Sequence, residues 1–192
     1  MKLKIDKEKI DKLSPEDAIP LVIKLRRFII GKNKPDGFTR LIFLINLLCW
    51  CLLTFWNLLS YIAIQLSDVI EENKKFSVNE IIRKNGRELG FEGQDFLEAI
   101  SLYYFINIFI WGIVFIGLTM MYRKLKVYPI FFLGGLILHF VIMFYMIGMQ
   151  YFIEDVSFFD KILYASMIVT GLIHSALMKK ESDEKLEYTS GN

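Results

Sequence analysis

The sequence has very little of the chemistry by which enzymes usually announce themselves. Only two cysteines and two histidines occur in 192 residues. Cys49 and Cys51 stand two positions apart in an apolar run. On a helix they point roughly 200° apart, so they cannot bridge each other. This excludes a disulfide scaffold. It also excludes a quinone-linked thiol oxidoreductase, which needs a C-x-x-C pair and a second pair. Both cysteines are expected to be buried small hydrophobes. No N-x-[ST] acceptor and no lipidation box are present. There is no HExxH and no paired intramembrane aspartate for a membrane protease. Nor are acids gathered at the surface for a metal-dependent lipid phosphotransferase. The acids Glu71, Glu72, Glu88, Glu92 and Asp95 do not follow the spacing of a calcium loop. No cofactor and no metal site are expected.

Charge is missing from long stretches, and this absence sets the fold class. Residues 41–66, 99–122, 127–153 and 162–178 contain no Asp, Glu, Lys or Arg. A spanning helix needs about 20 apolar residues. The chain is therefore read as an all-α integral membrane protein with four transmembrane helices in a bundle. The spans are expected at 41–66, 99–122, 127–153 and 160–178, together forming a transmembrane domain over 41–178. The first apolar block is too long, and too far from residue 1, for a cleaved signal peptide.

The charges between the blocks set an expected orientation. Residues 1–40 hold 11 basic and 6 acidic side chains, and 67–99 hold 5 and 8. Residues 123–126 hold 3 basic side chains, and 154–161 hold 1 basic and 3 acidic. By the positive-inside rule both termini are cytoplasmic, the loop 67–98 faces outward, and 179–192 is a cytoplasmic tail. A bacterial cytoplasmic membrane is the expected location. Ser14-Pro15-Glu16 opens a basic amphipathic helix over about 15–30, expected to lie in the interface. Lys24, Arg26 and Arg27 within it, and Lys32, Lys34 and Arg40 after it, are the expected membrane-surface cations. They are interleaved with acids and lack a reading motif, so nucleic acid is not an expected partner. In the outward loop, Ser77 to Glu80 is a capping box, which predicts a short amphipathic helix.

The polar residues inside the apolar blocks are the candidate functional set, because a polar side chain within a bilayer is costly. Asn46, Asn57 and Ser60 share one face of the first span, and Asn107 marks a face of the second. His139 and Gln150 share a face of the third; Thr170 and His174 share one of the fourth. At about 1.5 Å per residue, Asn107 and His139 fall at the same depth and are expected to hydrogen-bond. Asn46 and His174 fall close together near the cytoplasmic side and are expected to pair as well.

Two function classes follow. The first is a non-enzymatic accessory, regulatory or immunity-type subunit acting through helix–helix or protein–protein contacts. The second is an oligomeric channel or membrane-permeabilising effector, its ring lined by the amides and histidines. Expected partners are the bilayer and either another protein or further copies of the chain. The Asn46/Asn57/Ser60 stripe separates the classes: it faces water in a ring and other helices in a lone bundle.

Overall fold

The computed structural model describes residues 35–67, 69 and 77–190, with only the backbone described at 93 and 180–190. The expected helix over 15–30 and the cations Lys24, Arg26, Arg27, Lys32 and Lys34 lie outside the described residues. Among the described residues there are helices and no strands. They are α1 (Gly37–Gln65), α2 (Val78–Glu88), α3 (Gly93–Tyr122), α4 (Tyr128–Met146), α5 (Met149–Glu154) and α6 (Phe158–Ser190). Four stretches are long and apolar enough to cross a membrane: α1, α3, α4 and Phe158–Lys179 of α6. The chain is a helical membrane protein.

Local chemistry fixes the helix ends. Asp36 caps α1, its carboxylate accepting the Thr39 amide at 3.0 Å and the Thr39 hydroxyl at 2.8 Å. The span thus starts four residues before the charge-free block, with Arg40 inside its first turn. Ser77 caps α2 through the Glu80 amide. Ser157 caps α6, accepting the Asp160 amide at 3.1 Å and donating to the Asp160 carboxylate at 2.9 Å. Between α3 and α4, Lys124 takes a φ of 54°, and the Leu125 amide reaches back to the Met120 carbonyl. This is a Schellman-type stop with a lysine where glycine is usual.

The third apolar block does not run on as one helix to residue 153. It stops at Met146, and Gly148 turns the chain with a φ of 98° before the short α5 begins. Only glycine takes that conformation without strain, which is why the break falls there. The fourth helix continues past 178 to Ser190, because the charged residues after Lys179 are good helix formers.

The four long helices form a ring in which α1 packs against α3 and α6, and α4 packs against the same two. The diagonal pairs, α1 with α4 and α3 with α6, keep their backbones more than 8 Å apart. Helix α2 folds down on the start of α3, with Gly86 pressed against the Phe96 ring. One apolar cluster fills the half of the bundle near Lys124, with Trp111, Val114, Leu118, Met121, Phe132 and Met167 buried. A second fills the opposite end around Phe96, Ile100, Tyr103, Met143 and Ile147. Cys49 is buried in the first, but Cys51 is exposed, since a two-residue step carries it to the outer face of α1.

The tightest seam is between α3 and α4. A Cβ on Gly117 would stand 2.4 Å from the Phe132 backbone nitrogen. Backbone cannot step aside as a side-chain tip can, so Gly117→Ala should destabilise the protein by about 1–3 kcal/mol. Gly112, on the same helix, has nothing within 4 Å of its would-be Cβ. Thermal unfolding in detergent should show a clear loss for Gly117→Ala and none for Gly112→Ala. Equal melting temperatures would contradict the seam.

Candidate functional site

The polar side chains gather at two levels of the bundle, each centred on a buried histidine. At the middle level, His139 of α4 stands between α3 and α6. Its Nδ1 lies 2.9 Å from Asn107 Oδ1, and its Nε2 lies 3.0 Å from the Tyr164 hydroxyl. An amide oxygen only accepts, so Nδ1 carries the proton, and Nε2 then accepts from Tyr164. The rings of Tyr103, Trp111, Phe140 and Tyr164 surround the imidazole, with centroids 5.2–6.0 Å away. Trp50 of α1 completes the layer by donating to the Trp111 carbonyl at 2.9 Å. The Asn107 Nδ2 group is buried with no hydrogen-bond partner among the described residues.

The second level sits at the end that carries Lys124. His174 of α6 places Nδ1 2.7 Å from the Tyr128 hydroxyl and Nε2 3.1 Å from Thr39 Oγ1. Thr39 has one hydroxyl proton and spends it on Asp36. It must therefore accept from the imidazole, which puts the His174 proton on Nε2. Tyr128 then donates to Nδ1 and not to the Gly171 carbonyl, which is farther away at 3.3 Å. The chain of bonds continues outward from Thr39 to Asp36 and from Asp36 to Lys124. Burial works to raise the Asp36 carboxyl. The hydrogen bonds from Lys124 and Thr39, with the Lys124 charge, outweigh it and hold the carboxyl well below the usual range.

The remaining candidates are placed as follows. Asn46 is fully buried and donates to the Ile42 carbonyl at 2.8 Å and to Thr170 Oγ1 at 2.9 Å. Thr170 passes its own proton to the Ser166 carbonyl at 2.6 Å. The expected Asn46–His174 pair is not formed. Helix α1 begins early enough for Thr39, about two turns before Asn46, to meet His174, and Asn46 meets Thr170 instead. Asn57 is buried and donates to the Tyr104 carbonyl at 3.1 Å. Ser60 is half-buried and lines a cavity beside Tyr104. Gln150 shares no stripe with His139: the break at Gly148 puts it on α5, exposed and bonded to Glu154 at 2.9 Å. Arg40 is exposed on the first turn of α1.

Several residues of these networks are not visible from apolar periodicity. Asp36 and Thr39 precede the charge-free block, although Asp-x-x-Thr after Pro35 is itself a helix-start signal. Tyr128 and Tyr164 carry no mark in the apolar pattern, yet their hydroxyls are the partners of the two imidazoles. Near the other end, the Tyr104 and Tyr151 hydroxyls meet at 3.1 Å beside Asp155. Burial and then the neighbouring Glu154 and Glu88 raise the Asp155 carboxyl above its ordinary value. Among the described residues, no three His, Cys, Asp or Glu side chains come together to hold a metal ion. Comparison with protein-family models, with curated proteins and with solved structures finds no match to this chain.

Two predictions follow from these contacts. Replacing His139 by Leu strands the Asn107 amide and the Tyr164 hydroxyl in an apolar layer, which should cost about 1–2 kcal/mol. Asn107→Leu should lower the melting temperature in detergent by a similar amount; no change in either variant would remove the pair as a stabilising contact. The second concerns acid. A carboxyl held low in the folded state stabilises it above the unfolded value, about pH 4, and loses that contribution as pH falls below it. Melting temperature should therefore drop in that acid range, and Asp36→Asn should flatten the drop while lowering stability at neutral pH.

Proposed function

We propose that the protein is a non-enzymatic, self-contained membrane bundle that works through protein–protein contacts, as an accessory, regulatory or immunity-type subunit. One observation carries this reading. Most of the amide groups and both histidines that a ring-shaped pore would turn toward water are instead bonded inside a single copy, Asn107 Nδ2 being the exception. Asn46 and Asn57 are buried against Thr170 and the Tyr104 carbonyl, and His139 and His174 are each held by two side-chain partners. An uncharged lumen needs polar groups on a surface shared between copies. The outward faces of the long helices present Leu44, Leu48, Phe55, Ile130, Ile137 and Val141. Such faces suit lipid or an apolar helix of another chain.

The charge asymmetry supports placing both termini on the cytoplasmic side of a bacterial cytoplasmic membrane, with 67–98 outside. In that orientation the basic first 40 residues lie on the cytoplasmic side, where their cations favour anionic headgroups.

Native mass spectrometry of the protein extracted from its own membranes tests the reading. The expected species is a single copy, alone or with one other polypeptide. A closed ring of copies would overturn it. A second measurement addresses the surface directly. Asn57→Cys, in a background without Cys49 and Cys51, should resist a membrane-impermeant thiol reagent in intact membranes. Rapid labelling would mean that this face meets water and would favour the channel.

A further inference from the structure

Two neighbouring cavities lie at the end of the bundle away from Lys124. The outer one, about 290 Å³, lies beneath α2, with apolar walls from Ile64, Ile82, Phe96 and Ile100. The inner one, about 60 Å³, is lined by His139, Tyr164, Tyr103, Trp111 and Trp56, the last of them exposed. Tyr104, Tyr151 and Asp155 line both. The outer volume is close to the lower bound of ordinary ligand pockets, roughly 300 Å³. The inner one, at about two waters' worth of space, admits a small head group and no ring.

The charge of the lining selects the ligand. Among the described residues, Asp155 and Asp160 are the only ionised side chains in either lining, and no lysine or arginine joins them. The charged groups that act on Asp155 are Glu154 and Glu88, both negative. The nearby Lys161 ammonium is held elsewhere, donating to the Ile153 carbonyl at 2.8 Å and lying over the Phe152 ring. Ring faces and carboxylates together attract a weakly hydrated organic cation. A hard metal ion would need six or more oxygen ligands, which this aromatic chamber does not offer. An anion would face two carboxylates with no cation to offset them.

We infer that the paired cavities are a binding site for a small organic monocation: an amine whose ammonium enters the aromatic inner chamber beside Asp155, while its apolar body rests against Ile82, Phe96 and Ile100. Binding here does not depend on the protein's contacts with other chains. Trp56 and Trp111 line the inner chamber, so occupancy is read by their fluorescence.

The test uses the full chain in lipid nanodiscs, with benzylammonium chloride as the probe, benzyl alcohol as its neutral analogue and potassium chloride as the salt control. Benzylammonium should change tryptophan emission saturably and raise the melting temperature, at concentrations where the alcohol and the potassium salt do neither. Asp155→Asn should weaken the amine at least about tenfold without lowering the melting temperature of the ligand-free protein. Ala63→Lys, which sets a fixed ammonium in the outer wall, should abolish the response even if the first variant folds poorly. Equal responses to amine and alcohol, an equal response to potassium chloride, no response to the amine, or undiminished amine binding in either folded variant would each overturn the site.

Discussion

A polar side chain in the interior of a membrane bundle has no water to turn to, so its hydrogen bonds must come from the protein itself. In this chain that constraint falls on two imidazoles, and each meets it by joining three helices. His139 links α4 to Asn107 of α3 and to Tyr164 of α6. His174 links α6 to Tyr128 of α4 and to Thr39 of α1. Neighbouring helices in the ring are held by apolar packing and by the close glycine contact at Gly117. The interior between helices that do not touch is where the imidazoles, with Trp50 and Asn46, lie. Apolar packing in lipid is weakly directional, because lipid tails offer similar contacts. Hydrogen bonds that need two partners at fixed positions supply the register that packing alone leaves loose.

The two levels differ in how they end. At the Lys124 end, the bonds run without a gap from His174 through Thr39 and Asp36 to the half-buried Lys124. That end is closed: every step has a partner, and the lysine in a left-handed turn is held by the carboxylate that caps α1. Helix start, interhelical turn and buried histidine thus form one connected unit. At the opposite end, His139 backs onto cavities, the nearest carboxylate is repelled by its acidic neighbours, and α2 forms the cover. One end is built for integrity and the other retains space. Open space inside a fold leaves its lining without contacts and works against stability, so its presence there asks for a different explanation from packing.

Much of this was legible in the sequence, for reasons that are physical. The absence of charge across four blocks leaves a helical bundle in lipid as the one way to satisfy the backbone. Asn107 and His139 could be matched because both lie deep inside uninterrupted helices, where rise per residue measures depth well. The same arithmetic failed for Asn46 and His174, since it depends on where α1 starts. A charge count places that start after Arg40, whereas the Asp36 cap places it at Gly37. It failed again for Gln150, because hydropathy does not register a break at a single glycine within an apolar run. The tyrosine partners were hidden more deeply. A tyrosine near a helix end looks the same in sequence whether its hydroxyl meets headgroups or an imidazole, and only the neighbouring helices decide.

That one copy satisfies both of its imidazoles and, Asn107 Nδ2 excepted, its buried amides bears on how any partner must approach. A pore-forming chain keeps polar groups for the assembled state and is poorly satisfied alone. Here the polar stripes already face inward, so a second chain meets leucine, isoleucine and phenylalanine along the bundle and polar groups only at its two ends. Contacts of the first kind tell one apolar helix from another by shape alone. Contacts of the second kind carry charge, and the two ends differ in sign: Arg40, Arg123, Lys124 and Lys126 at one, Glu88, Glu154 and Asp155 at the other. Selectivity for a partner therefore belongs to the ends. At the acidic end, the surface that would make that choice is also the rim of the cavities, so a small cation bound there would alter the charge that a partner meets.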